Sequence, residues 1–212
     1  MELLYKTWND ITVARYRDII ALSSDDTTEE GATTASIDTL AYLCGSTREE
    51  VELLPIEEFT RLMAEASFLR KIDEEVIDED IVINGKNYDL VTDMDKFIVT
   101  QYIDWNSLGH DPKNNLARLL ACILIPRGHQ YGKGYDIEDV VKDINDKLPF
   151  LKALAMFRFF EAAQRSLIAD TLRKMSKMAR VEILKTRDKK RREELRKEQK
   201  IVHALLHYHG WN

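Results

Sequence analysis

Apolar residues recur at three- and four-residue intervals over most of the chain, with polar residues between them. This spacing places the apolar side chains on one face of a helix, so it predicts a series of amphipathic helices. The segment after Pro149 shows the pattern clearly and contains no further Gly or Pro before Gly210. Its apolar stripe is formed by Leu151, Leu154, Phe157, Phe160 and Leu167.

Capping residues mark where these helices begin and end. One helix is predicted to stop at Gly45, because Gly adopts the left-handed conformation of a helix C-terminus without a steric cost. Asp111, followed by Pro112, and Asp136 are predicted to begin two later helices. Ser46-Thr47-Arg48-Glu49 has the form of a capping box, in which the Ser hydroxyl and the Glu carboxylate satisfy free backbone N–H groups.

The pattern changes between about residues 80 and 91. Two short apolar-rich runs flank Asn84-Gly85, and both residues of this pair tolerate the positive φ of a type I′ turn. The segment therefore predicts a β-hairpin, which must pack on other elements because a lone hairpin is marginally stable in water. Residues 125–135 are rich in Gly and are predicted to form a loop.

These elements predict a mainly α protein: a multi-helix body with one small β-hairpin and a long basic C-terminal helix. The distribution of charge along the chain divides it into the body and the C-terminal extension. Residues 173–200 carry thirteen Lys or Arg and five Asp or Glu, a net charge of +8. The whole chain of 212 residues is −6, which leaves −14 for the rest. We therefore expect a helical body over residues 1–172 and a basic helical extension over residues 173–212.

The basic extension supports three interpretations. It can be a solvated helix with internal Glu–Lys pairs, an arm that docks on an acidic protein, or an arm that binds nucleic acid through charge. No common nucleic-acid-binding motif is present, and the body is acidic. The candidate partner-binding residues are Lys185, Arg187, Lys189, Lys190, Arg191, Arg192, Arg196 and Trp211.

Neither composition nor motifs point to catalysis. The two cysteines, Cys44 and Cys122, share no short spacing and are expected to be reduced, buried thiols. His203 and His207 lie one helical turn apart, but Ala204 stands where a zinc-protease helix has its Glu. We therefore expect no catalytic residues, no cofactor and no bound metal. The N-terminus does not have the pattern of a secretory signal, and no apolar run is long enough to span a bilayer.

Two further groups of residues have a structural explanation. The acids Asp136, Glu138, Asp139 and Asp143 are expected to answer the dipole of a helix N-terminus rather than to bind a cation. The tryptophans Trp8 and Trp105 are candidates for either the core or a partner contact.

The order of the motifs resembles that of small tail-region proteins of tailed bacteriophages, of the tail assembly chaperone type. The motifs that carry the resemblance span about residues 8–170. They are Trp8-Asn9-Asp10-Ile11-Thr12-Val13, Leu43-Cys44-Gly45-Ser46, Leu54-Pro55-Ile56-Glu57-Glu58-Phe59, Ile83-Asn84-Gly85-Lys86-Asn87-Tyr88, Gln101-Tyr102-Ile103-Asp104, Ile125-Pro126-Arg127-Gly128 and Gly134-Tyr135-Asp136-Ile137-Glu138-Asp139-Val140.

The resemblance implies a mostly helical protein without chemistry, which holds the tape measure protein in the host cytoplasm while the tail assembles. A structural component of the virion, such as a neck, ring or baseplate adaptor, is the alternative. Nucleic-acid binding through the basic helix is a third possibility. Self-association is left open, and no membrane partner is expected.

Overall fold

The helices and strands follow the capping residues closely. The structure is a computed structural model that describes residues 1–22, 28–72, 77–78, 80–186 and 188–208. Within these residues the helices are α1 Val13–Leu22, α2 Glu29–Cys44, α3 Arg48–Glu52, α4 Ile56–Glu65, α5 Val99–Leu108, α6 Pro112–Ile123, α7 Ile137–Lys147, α8 Phe150–Lys185 and α9 Lys189–Tyr208. The strands are β1 Ile81–Ile83, β2 Lys86–Leu90 and β3 Leu124–Pro126. The prediction of a mainly α protein with a long C-terminal helix is confirmed.

Most of the predicted caps are confirmed. Gly45 ends α2 with φ of 63°, in the left-handed region. The Asp111 side chain accepts a hydrogen bond from the Asn114 N–H, with Pro112 at the first helical position. Asp136 caps α7 by accepting from the Glu138 N–H at 2.9 Å.

The predicted capping box is wrong by one residue. Thr47, not Ser46, is the cap of α3: its hydroxyl accepts from the Glu50 N–H at 3.2 Å, and the Glu50 carboxylate accepts from the Thr47 N–H at 2.9 Å. The Ser46 N–H instead donates to the Ala41 carbonyl at 2.9 Å. Ser46 therefore belongs to the end of α2, because its backbone satisfies a free carbonyl there.

The β-hairpin is confirmed, and its turn is made as predicted. Asn84 and Gly85 have φ of 52° and 73°, the positive values that a type I′ turn requires. Ile83 pairs with Lys86, and Ile81 pairs with Tyr88. Ile81, Ile83 and Tyr88 are buried, so one face of the hairpin packs into the core.

A third strand extends this hairpin, and the loop predicted from residue 125 is wrong at its start. β3 runs antiparallel to β2, with Tyr88 opposite Pro126 and Leu90 opposite Leu124. β2 is therefore the central strand, and Pro126 lies at an edge, where its missing N–H costs no ladder bond. A three-residue strand is too short to show alternation, so its sequence does not distinguish it from a helix end.

Asp143 of α7 fastens the β-hairpin to the helices. Its carboxylate accepts hydrogen bonds from Lys86 Nζ at 2.7 Å, Asn84 Nδ2 at 2.8 Å and the Tyr88 hydroxyl at 3.2 Å. Burial alone would raise the pKa of Asp143, but these bonds outweigh burial and hold the pKa below its ordinary value. The helix-dipole explanation predicted for Asp143 is therefore wrong, because the carboxylate has direct partners on the hairpin.

Aromatic packing joins the N-terminal segment to the start of α8. Trp8 is buried and lies 5.6 Å from Phe150 and 5.9 Å from Phe68, between ring centroids. Its indole N–H donates to the Lys71 carbonyl at 2.8 Å. Trp105 is also buried and stacks on Phe157 at 6.1 Å. Both tryptophans are therefore part of the core.

The chain forms two compact units, Met1–Arg158 and Phe159–Asn212. The first holds α1–α7, the sheet and the start of α8, and its sequence carries seventeen Lys or Arg and thirty Asp or Glu, a net charge of −13. The second holds the rest of α8 and α9, with a net charge of +7. The change of charge at residue 173 and the change of packing at residue 159 thus fall at different places along α8.

Asp143→Asn is expected to lower the free energy of unfolding by about 1–3 kcal/mol at neutral pH, because it removes a charge-assisted hydrogen bond from Lys86. Since the folded-state pKa of Asp143 is lowered, the carboxylate stabilises the fold above its ordinary pKa. This contribution disappears as the pH falls through the folded-state value. The gap between wild type and variant in urea unfolding should therefore narrow in acid.

Asp146→Asn is the matched control, because Asp146 is an exposed aspartate on the same helix. Its effect should stay within about 0.5 kcal/mol at either pH. If Asp143→Asn lowered the free energy of unfolding equally at neutral and acidic pH, the stabilising role of the charged Asp143 carboxylate would be contradicted.

Candidate functional site: the helical hairpin of α8 and α9

The basic C-terminal region is two helices, not the single continuous one that the absence of Gly and Pro predicts. Asp188 makes the break: its carboxylate accepts hydrogen bonds from the backbone N–H groups of Lys190 at 2.8 Å and Arg191 at 3.2 Å. An aspartate in this position is a strong helix cap. The guanidinium of Arg192 donates to the Thr186 carbonyl at 2.7 Å, which holds the end of α8 against the start of α9.

The two helices lie antiparallel. Ser176 Oγ and His203 Nε2 are 3.1 Å apart, and Arg191 Nη2 lies 3.7 Å from Glu182 Oε1. Residues later in α8 thus contact residues earlier in α9, as an antiparallel pair requires. We call residues 159–185 of α8 together with α9 the helical hairpin.

A regular seam runs along the helical hairpin. Between residues 169 and 207, the residues of α8 and α9 that are buried or half-buried recur at alternating intervals of three and four, apart from Thr186 in the turn. This is the spacing of a coiled-coil seam. The seam positions are Ala169, Leu172, Ser176, Ala179 and Ile183 on α8, and Arg192, Leu195, Gln199, Val202 and Leu206 on α9.

The seam divides the remaining surface into two flanks. His203 follows the seam residue Val202 and lies on one side, in contact with Ser176. Glu182 and Arg191, which contact each other, each precede a seam residue and lie on the other side. Each residue advances about 100° around a helix, so the position of an exposed residue relative to the seam residues shows on which side of the seam its side chain lies. The basic flank, on the His203 side, contains Arg173, Lys177, Arg180, Lys189, Arg196 and Lys200. The apolar flank, on the Arg191 side, contains Ile168, Met175, Met178, Ile201 and Leu205.

The basic flank is largely uncompensated. Arg173 forms an ion pair with Asp170 at 3.0 Å. The other five cations are exposed and make no ion pair with any residue that the structure describes. The two rows also contain Asp170 on α8 and Glu193 on α9, so six cations face two acids. The excess of cations gives this flank a positive potential, which attracts an acidic ligand.

The apolar flank is unusually exposed for side chains of its type. Met178 is 71% exposed and Ile201 is 61% exposed. Contiguous apolar surface of this kind marks interaction sites in soluble proteins. A second group of exposed apolar side chains lies at the start of α5 in the first unit, formed by Val99, Tyr102 and Ile103 together with Ile98, which precedes the helix.

The predicted partner-binding residues divide into three groups. Lys189 and Arg196 belong to the basic flank. Lys185 is exposed on the apolar-flank side, seven residues after Met178, and Lys190 is exposed on the face turned away from the seam. Arg191 and Arg192 make contacts within the helical hairpin. Arg191 lies within ion-pair distance of Glu182, Glu194 and Glu198. Arg192 is half-buried in the turn, where it donates to the Thr186 carbonyl. Arg187 and Trp211 lie outside the described residues.

Four cations of the basic flank escaped the predicted site. They are Arg173, Lys177, Arg180 and Lys200, which are separated from one another in the sequence. The uninterrupted run from Lys189 to Arg192 is the more obvious basic feature. On α8, Arg173, Lys177 and Arg180 are spaced by four and three residues, a signal that would have placed these three on one helix face. Lys200 joins them only through the packing of α9 on α8.

No group of three or more His, Cys, Asp or Glu side chains suited to a metal occurs in the described part of the chain. Cys122 is buried, which raises the pKa of its thiol to about 11 and keeps it protonated at neutral pH. Cys44 is half-exposed, so the prediction that it is a buried thiol is wrong in part.

No protein-family model, curated protein or solved structure matches the chain. The resemblance to tail-region proteins therefore stays a prediction from the sequence. Among the described residues, no helix is both long and apolar enough to cross a membrane.

Leu195→Ala is expected to destabilise the helical hairpin by about 2–4 kcal/mol, because Leu195 is buried in the seam and its removal leaves a cavity. Amide hydrogen exchange should show faster exchange across α9 and residues 169–183. Leu184→Ala is the matched control, since Leu184 is 79% exposed on α8. Equal exchange in the two variants would contradict the seam.

Proposed function

We propose that this chain is a non-enzymatic tail assembly protein that binds the tape measure protein of a tailed bacteriophage in the host cytoplasm. The basic flank of the helical hairpin is the observation that supports a binding role. The resemblance of the motifs over residues 8–170 supports the choice of partner.

The basic flank is suited to an acidic segment of a helical partner. Its cations lie in two rows, with Arg173, Lys177 and Arg180 on α8 and Lys189, Arg196 and Lys200 on α9. Exposed ion pairs each contribute little, typically below about 1 kcal/mol, so charge alone does not hold such a complex. Its main effects are a faster encounter and selection against basic partners. Apolar contacts must supply most of the affinity.

A protein partner is favoured over nucleic acid by the charge of the first unit. The net charge of Met1–Arg158 is −13, so this unit repels a long polyanion such as nucleic acid. A short acidic segment carries fewer charges and is repelled less. Nucleic acid remains the second candidate, because Lys and Arg side chains such as those of the basic flank are also the groups that contact phosphates.

Co-expression with the tape measure protein from the same genome tests the proposal. We expect the tape measure protein to become soluble and to co-purify with this chain. The triple variant Lys177→Glu, Arg180→Glu and Lys200→Glu should weaken the complex by about tenfold or more, because it removes the excess of positive charge from the basic flank. Binding is measured by titration at fixed ionic strength.

The matched control is the triple variant Lys113→Glu, Lys133→Glu and Lys142→Glu. These lysines are exposed in the first unit, and the change in net charge is identical. Equal weakening by the two triple variants would show that overall charge, not the basic flank, governs binding. Absence of a complex with the wild-type chain would refute the proposed partner.

Salt dependence separates the two classes of partner. Binding of duplex DNA through Z phosphate contacts follows a slope of about −0.9Z in log K against log salt. Five contacts would thus give a slope of about −4.5. Tight DNA binding with such a slope, lost in the basic-flank variant, would support nucleic acid instead.

Mass spectrometry of mature particles and of an infected-cell lysate separates a chaperone from a virion component. A chaperone leaves the assembly, so we expect the chain in the lysate and not in particles. A fixed copy number in particles would instead establish a neck, ring or baseplate adaptor.

A further inference from the structure

We propose that the helical hairpin pairs with a second copy of itself through the apolar flank, forming a four-helix bundle. This inference does not rest on the tail assembly role. It starts from the exposure of the apolar flank, where Met175, Met178 and Ile201 are each more than half exposed.

The apolar flank has the geometry of a second seam. On α8, Ile168, Met175 and Met178 are separated by seven and three residues, and on α9 Ile201 and Leu205 are separated by four. Side chains at these intervals share a helix face and can interdigitate with those of another helix pair. Unbranched Met side chains adapt readily to the facing surface.

The register of the helical hairpin makes these residues neighbours. Ser176 lies opposite His203, so Met175 and Met178 of α8 lie at the same height as residues 201–205 of α9. Met175, Met178, Ile201 and Leu205 therefore form one continuous apolar surface across both helices, and Ile168 extends the same face of α8 by two turns. Two helices alone leave this surface in water, whereas a four-helix bundle buries it.

The charges around the apolar flank fit a second copy. An isologous interface brings the same surface of both protomers together, so charges of one sign would repel. Towards the turn, the flank is bordered by Glu182, Glu194 and Glu198 and also by Arg191, with Lys190 on the adjoining face. Arg191 already pairs with these carboxylates within one protomer, and Lys185, seven residues after Met178, adds a cation on the same side. The border thus carries three acids and three bases, so two copies do not meet as surfaces of one sign.

The basic flank lies on the opposite side of the seam. Pairing through the apolar flanks therefore does not bring two basic flanks together. The resulting dimer presents them on its outer surfaces, where each remains accessible to a ligand.

Light scattering coupled to size-exclusion chromatography of the full chain tests this proposal. We expect a mass of twice the 24.7 kDa of one chain. Met178→Glu and Ile201→Glu should each raise the dimer dissociation constant at least tenfold, because each places a carboxylate in the apolar interface. Circular dichroism must show that the helices remain folded.

Two variants serve as controls. Val99→Glu places the same charge on the exposed apolar surface of α5, where Val99 is 76% exposed, and Lys177→Glu alters the basic flank. Both should remain dimeric. A monomeric wild-type chain at all concentrations would overturn the proposal, as would a dimer that survives both apolar-flank variants. Dissociation by Val99→Glu alone would place self-association on α5 and also overturn it.

A covalent test covers the case in which the glutamate variants do not fold. Met178→Cys in a Cys44→Ser background should give a disulfide-linked dimer under mild oxidation, whereas Lys177→Cys in the same background should not. Equal cross-linking at the two positions would contradict pairing through the apolar flank.

Discussion

The surface chemistry of the C-terminal unit depends on one turn, in which the Asp188 carboxylate caps α9. The last hydrogen bond at the end of α8 is donated by the Thr186 N–H to the Glu182 carbonyl. Two residues later, the Asp188 carboxylate accepts from the N–H groups of Lys190 and Arg191 and so begins a new helix. The chain then reverses direction and the two helices form a seam. In one continuous helix, the same residues would be distributed around a single axis without an inner face.

The seam determines which charges are available to a partner. Arg192 is drawn into the turn, and Arg191 is surrounded by three carboxylates, so neither is a free cation despite standing in the most basic run of the sequence. Cations that are scattered in the sequence, such as Lys177 and Lys200, are brought to one flank. Ile168, Met175, Met178, Ile201 and Leu205 lie on the other flank, whereas the exposed Val181 and Leu184 lie elsewhere on α8. Two packed helices separate their exposed side chains in this way, because the buried seam between the helices divides the outer surface into two sides.

Local signals predicted the fold well where local chemistry decides it. The Asn84-Gly85 turn and the end of α2 at Gly45 follow from the φ that these residues tolerate. β3 was missed because three residues cannot show alternation, and its pairing with β2 is a contact distant in sequence. The turn at Asp188 was missed because an aspartate cap within a charged run resembles a surface residue. The flanks could not be predicted at all, since a flank exists only once the partner helix is known.

The two flanks respond to different physical variables, so their roles can be separated. Association through the apolar flank depends on buried area, which salt does not screen. Attraction to the basic flank is screened over about 8 Å at physiological ionic strength. Rising salt should therefore slow the binding of an acidic ligand and lower its affinity, while leaving the four-helix bundle intact. A dimer also presents two basic flanks to one long partner, and the second contact is then intramolecular, which raises the overall affinity without any new interaction. For a repetitive, extended partner, self-association through one flank thus strengthens binding through the other.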